Sequence, residues 1–359
     1  MIGFDLFSRS VSSGRGLVLR RTLGGVMMRT RDAQRVASCR RLAGCLAVWA
    51  GLLVALLRPL PGWADIIQPA ATGPRVTDAL FLDAARVGNR LITVGEWGIV
   101  LYSDDEGLNW KQAAVPVDIT LTSVVFADEK RGWITGHDAV ILATVDGGET
   151  WSLQHRDPDL DVPLLNLWFA DAQRGIAVGG RGNLFRTADG GQTWEHQALL
   201  TADEFDGHLF AVGRGESGSL FLPSEKGVVY RSDDAGASWR ELKAPYNGSL
   251  FGVVFPGAGR VVAFAMLGNV AISDDNGETW RMGETGTDKS FMSGQVMTDG
   301  AVLLAGLDGA IMASQDRAEN FVSHALGDRM KIARLLPTRD GQWLAFGEGG
   351  IRRITLNLH

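Results

Sequence analysis

The stretch "TVDGGETWS" at residues 144–152 puts a hydroxyl, an acid, two glycines and a tryptophan into nine positions. Five relatives recur along the chain: "SDDEGLNW" (103–110), "TADGGQTW" (187–194), "SDDAGASW" (232–239), "SDDNGETW" (273–280) and a worn copy, "SQDRAENF" (314–321). The shared pattern is Ser/Thr-x-Asp-x-Gly-x-polar-Trp. Its closing aromatic falls at Trp110, Trp151, Trp194, Trp239, Trp280 and Phe321, at intervals of 41, 43, 45, 41 and 41 residues. A period near 42 residues is the length of one four-stranded propeller blade.

The sequence between the boxes repeats as well. Residues 121–151 read as three short strands, at 122–126, 132–135 and 139–144, because β-branched and apolar runs are bounded there by Gly and Asp. The polar "SLQHRD" that follows Trp151 suits an outer edge strand. A Gly-x-x-Gly/Ala-x-apolar step precedes each third strand, as in "GEWGIV" (95–100), "GHDAVI" (136–141), "GGRGNL" (179–184), "SEKGVV" (224–229), "AMLGNV" (265–270), "GLDGAI" (306–311) and "GEGGIR" (347–352). These seven copies predict an all-β fold: a single seven-bladed β-propeller of four-stranded blades, spanning residues 65–359. The seventh unit ends after three strands, so an N-terminal strand near residues 65–69 is expected to complete it and close the ring.

Each box falls at the hairpin between a third and a fourth strand. There the hydroxyl and the acid can bond the turn's backbone, the glycine can take positive φ, and the Trp can bury its ring. Asp105, Asp146, Asp189, Asp234 and Asp275, with Trp110, Trp151, Trp194, Trp239 and Trp280, are therefore read as structural. Six turns spread around a ring do not converge on one ion or one substrate, so neither a calcium loop nor a catalytic site is expected from them.

Residues 1–64 are of another kind. They hold ten of the 35 basic residues and two of the 41 acids, leaving 25 and 39 in the remainder and a net charge near −14 there. Nucleic acid is excluded as the main partner, because a phosphate surface calls for a basic footprint. The apolar run "LAGCLAVWAGLLVALL" (42–57) follows Arg40-Arg41 and leads to "RPLPGWAD", the layout of a secretory signal with cleavage after Ala64. The long basic segment before it suggests translation from Met27 or Met28. A retained anchor is the alternative, as is lipidation of Cys45 in "LAGC", although the apolar run follows that cysteine instead of preceding it. The protein is thus expected to be exported to the periplasm or held at a membrane on that side. Cys39 and Cys45 both precede the cleavage point, so no disulfide or cysteine metal site is expected in residues 65–359. The six histidines show no metal-ligand spacing, and no cofactor or metal is expected.

The pattern resembles the Asp-box or BNR repeat of sialidases, certain plant-wall glycosidases and sortilin-type receptors. The fuller unit at 132–151, the seven copies and the export signal are most similar to the Ycf48/HCF136 family of photosystem II assembly factors, over essentially all of 65–359. That resemblance implies a non-catalytic propeller that assists assembly of a membrane protein complex, binding a newly made subunit or its exposed tail, as a monomer. The other reading by resemblance is a glycoside hydrolase or glycan-binding protein of the sialidase-like class. Against a sialidase stand the three tyrosines, Tyr102, Tyr230 and Tyr246, and the missing "R-I-P" signature.

A scaffold's variable surface is expected opposite the boxes, on the turns between second and third strands. Glu96, Trp97, His137, Asp138 and Lys226 are candidates there, with Trp97 the anchor because no other unit has an aromatic at that turn. The family is associated with an arginine patch, for which Arg181, Arg186, Arg231 and Arg352 are the candidates, placed at or just after the same turn. The acids at 157, 159, 161, 203, 204 and 206 are read as solvated inter-blade loops.

Overall fold

A computed structural model describes residues 68–73, 75–199 and 207–358. The expected signal segment and its cleavage site, and the acids at 203, 204 and 206, lie outside them. Strands of two to seven residues form seven antiparallel sheets, each an up-and-down meander of consecutive strands. Blade 2 is representative, with strands Leu121–Phe126, Gly132–Gly136, Ile141–Thr144 and Ser152–His155 ordered from the axis outward. The expected fold is the observed one, with strand boundaries within two residues of the reading.

Successive side chains on a strand point to opposite faces, so each sheet feeds two cores. Ile176 and Ala177, adjacent in blade 3, illustrate this: Ile176 joins the cluster shared with blade 4 and Ala177 the one shared with blade 2. Seven apolar clusters result, one at each junction of neighbouring blades.

At the ring closure the described residues do not show the expected fourth strand. Among the described residues the last sheet has three strands, Ile332–Pro337, Trp343–Gly347 and Gly350–Ile354. Residues 65–67 of the expected closing strand lie outside the described residues. The described part runs along blade 1 instead, where Ala70 N–H donates to the Val115 carbonyl and Ala71 N–H to that of Trp97. Blades 1 and 7 also pack sheet on sheet: Phe81, Leu91 and Leu101 of blade 1 against Leu336, Leu344 and Phe346 of blade 7. The N-terminal segment contributes as a connection. Thr77 O lies over Gly350, where a Cβ would be 2.2 Å away, just as the blade 1 connection lays Val117 O over Gly98, 1.8 Å from a Cβ there. Residues 75–80 thus enter the innermost strand of blade 1 as an inter-blade connection would.

Candidate functional site

The antiparallel meander sorts the loops onto two faces. The boxes and the turns between first and second strands lie on one face. The turns between second and third strands lie on the other, with the inter-blade connections.

On the box face the geometry is repetitive. Asp146 Oδ1 accepts from the Thr144 hydroxyl (2.8 Å) and the backbone N–H groups of Glu149 and Thr150 (3.0 Å each), while Oδ2 accepts from the Thr150 hydroxyl (2.6 Å). The Thr144 oxygen accepts in turn from Gly148 N–H. Trp151 is buried with its indole N–H on the Gly148 carbonyl. The other five boxes repeat the carboxylate's bonds, the worn copy around Asp316 included. With every carboxylate oxygen engaged by donors of its own turn, these acids have no proton chemistry to offer at neutral pH. The Asn109 amide and backbone hold Asp105 at a pKa of about 2, and the Thr279 hydroxyl and backbone do the same for Asp275.

The sequence did not disclose what the boxes do for their neighbours. The residue after the box Asp turns its carbonyl toward the preceding blade. Gly147 O accepts from Arg90, Gly190 O from the Trp133 indole, Asn276 O from Arg231, Arg317 O from Arg260 and Glu106 O from Arg353. Three of these arginines also join two acids, one in their own blade's box and one in the next: Arg90 with Asp104 and Glu149, Arg231 with Asp233 and Glu278, Arg260 with Asp274 and Glu319. Boxes are hinges within a blade and clasps between blades. Arg260 is 8% exposed in its side chain while its partner acids are about half exposed. Arg260→Ala is therefore expected to cost about 2 kcal/mol, below the range for fully buried pairs, read as a lower urea midpoint with unchanged far-UV circular dichroism.

On the opposite face, six of the seven turns present a non-glycine residue in the left-handed region at the tip: Trp97, Asp138, Arg181, Lys226, Leu267 and Asp308, with φ between 54° and 58°. Gly349 holds the seventh tip. Such a backbone pushes the side chain outward, and Trp97 is 56% exposed and Leu267 61%. Glu96 is not free beside Trp97, because its Oε1 accepts the Leu80 N–H and ties the turn to the start of blade 1. A groove of about 480 Å³ opens next to Trp97, lined by Ala71, Thr72, Arg75, Val76 and Ile99 among others, so the N-terminal segment forms one wall.

The other candidates divide. Asp138 pairs with Arg156 at 3.2 Å. His137 is half-buried and kept neutral by desolvation, which lowers its pKa. Lys226 is exposed, and its carbonyl accepts from the Lys243 ammonium. Arg352 is bound to Asp328.

The expected arginine patch is not brought together. Arg181 is at the turn tip, but Arg186 and Arg231 directly precede the box hydroxyls Thr187 and Ser232 and belong to the box face. Five residues of strand carry the chain about 16 Å from Arg181 to Arg186, and Arg231 is consumed by its clasp. Among the described residues no group of three or more His, Cys, Asp or Glu is placed to hold a metal ion, and no helix is long and apolar enough to cross a membrane.

A family model described as photosynthesis system II assembly factor YCF48 matches residues 102–291, just over half of the chain. The chain belongs to the YCF48 family. Over 142 residues it is 33% identical to the photosystem II assembly lipoprotein Ycf48 of Prochlorococcus marinus. That match spans 39% of this chain and 41% of the relative, under half of either. Among solved structures, one described as YCF48 bound to D1 peptide aligns with TM-score 0.64 and 24% identity over 82% of this chain and 98% of that one. YCF48 from Cyanidioschyzon merolae gives 0.63 and 17% over 79% and 97%. A streptogramin B lyase gives 0.67 at 12% identity over 81% and 98%. An enzyme thus shares the propeller as well as the YCF48 proteins do, and these structural likenesses speak for the fold alone.

Proposed function

We propose that this YCF48-family propeller is a non-catalytic, exported scaffold that binds an exposed segment of a membrane protein subunit and assists assembly or stability of its complex. The observation that carries this reading is Trp97, held outward at a left-handed turn tip beside a groove, on the face that the boxes leave free. An exposed Trp next to a concavity is the usual form of a binding hot spot. Family membership supports the assembly role, and a related YCF48 structure holds a D1 peptide. Arg181 and Lys226, exposed at neighbouring tips, would favour a segment with acidic groups. The engaged box carboxylates speak against hydrolysis centred on the boxes.

The test is a pull-down from detergent-solubilised membranes with wild type and Trp97→Ala. Because the side chain is more than half exposed, the substitution is expected to change stability by no more than about 0.5 kcal/mol, so a lost partner reports binding. Loss of a specific membrane subunit supports the reading. An unchanged partner set removes Trp97 from the site, and glycan hydrolysis by the purified propeller, abolished by changing a loop carboxylate, overturns the scaffold role.

A further inference from the structure

The Trp97 groove is built from two parts of unequal firmness. Among the described residues that line it, Glu96, Trp97 and Ile99 belong to the turn of blade 1, and all the others fall between Ala71 and Ala79. The turn is fixed without help from residues 68–73. Leu80 N–H donates to Glu96 Oε1 and Glu96 N–H to the Leu80 carbonyl, Gly95 N–H reaches the Ile99 carbonyl, and Gly98 N–H reaches that of Ile119. Val76 and Ala79 are anchored too, because both pack on the core between blades 7 and 1.

The limb that precedes them is held lightly. Among the described residues three hydrogen bonds tie residues 68–73 to blade 1. Ala70 N–H donates to the Val115 carbonyl and Ala71 N–H to the Trp97 carbonyl, both at 3.1 Å, and the Gln112 side-chain amide donates to the Ala71 carbonyl at 2.6 Å. Ala70 packs against the core between blades 1 and 2, while Ala71, Thr72 and Gly73 are exposed. Ordering a chain costs entropy at every residue, so three bonds and one partly buried methyl leave little surplus. Segments with so few contacts open locally while the fold stays intact. Gln112 lies on the outermost strand of blade 1, Lys111–Gln112, and supplies the one side-chain bond of the three without lining the groove itself.

We propose that residues 68–73 form a strap that gates the Trp97 groove: docked, the strap completes the wall against which a partner segment lies, and Gln112 is the positioning residue that holds it there. The inference rests on the reading of that groove as the partner site. The strap meets the turn at Trp97 itself, whose carbonyl receives Ala71 N–H. Released, it leaves Trp97 as a lone exposed ring on a turn that is otherwise unchanged. A wall present only in the docked state binds only in that state. Strap docking and groove occupation therefore favour each other, by the same factor in both directions.

Anilinonaphthalene sulfonate, a probe of apolar concavities, is followed through the Trp97 indole NMR signal, with amide hydrogen exchange of Ala70 and Ala71 measured alongside. In the wild-type propeller the Trp97 signal is expected to shift saturably. Saturation should slow exchange at both alanines and leave the strand Arg90–Gly95 as it was. In Gln112→Ala exchange at both alanines should speed up and probe affinity at Trp97 should fall about fivefold or more, with the unfolding midpoint unchanged. Gln112→Lys, which keeps a donor at that position, should restore both. The proposal is overturned if Trp97 does not respond in wild type, if saturation leaves exchange of the alanines unchanged, if Gln112→Ala binds the probe as wild type does, or if Gln112→Lys behaves like Gln112→Ala. Capture of a membrane subunit separates this inference from the reading it rests on. A subunit lost in Trp97→Ala but kept in Gln112→Ala overturns the strap and leaves the scaffold site standing. A subunit kept in Trp97→Ala overturns the site, and the probe and exchange results alone then decide the strap.

Discussion

Gly268→Ala is expected to destabilise the propeller by about 3 kcal/mol or more, while Gly286→Ala, in the same blade, costs only about 1 kcal/mol. Both glycines have nearly the same left-handed backbone, φ +71° and +72°. They differ in what an added Cβ would meet. At Gly268 it would lie 1.8 Å from the Thr287 carbonyl oxygen, a backbone atom that cannot step aside without moving the whole connection. At Gly286 nothing lies within 4 Å. The shared left-handed cost cancels between the two variants, so the difference isolates the collision, and urea unfolding of both measures it. Equal midpoints would show that the connection yields freely. Ala139 marks the exception that the fold itself allows. It sits at the equivalent position with φ 50°, and its connection is diverted by the short helical turn Pro158–Leu160, with Asp157 capping Leu160 N–H.

Acid should unfold the protein in two stages. His137 and His155 have pKa values lowered by burial below 6.5, so the folded chain declines protons that the unfolded chain accepts. Stability is therefore full above about pH 6.5 and begins a shallow decline below it. The box carboxylates bring the steep stage. Asp105, Asp189, Asp234, Asp275 and Asp316 are held at about 2, against 3.8 for the free side chain, and Asp146 is lowered as well. A depressed carboxylate contributes stability above its unfolded value and loses it as pH falls toward the folded one. The main loss is thus expected between about pH 4 and pH 2. The check is the urea midpoint measured at pH 7.5, 5.5, 4 and 2.5. A midpoint that holds steady from pH 4 to 2.5 would remove the boxes from the pH dependence. Asp275→Asn should flatten the steep stage by one carboxylate's share while lowering the midpoint at neutral pH.

The boxes and the turn steps were legible because each is a local device repeated in register. Ser/Thr, Asp, Gly and Trp at fixed offsets satisfy one hairpin by themselves, so their spacing carries the strand count and the face on which each turn lies. Trp97 was legible for a related reason: at a turn tip with no cross-strand partner, an aromatic has little to bury against. The arginines were not legible. Arg181 and Arg186 look like neighbours in sequence, yet strand rise separates them onto opposite faces. Arg231 reads as a free cation until blade 5 supplies Asn276 O and Glu278. The partners that decide these charges lie some 40 residues away, on another sheet.

By itself the sequence determined the seven blades, their register and the turn conformations, because a glycine forced to positive φ and an Asp facing its own hairpin answer to neighbours within a few residues. Only the tertiary structure decided how blade 7 meets blade 1 and which arginines are spent as clasps. Those outcomes depend on which side chains meet across sheet junctions, and contacts of that kind are set by packing between blades that no single repeat contains.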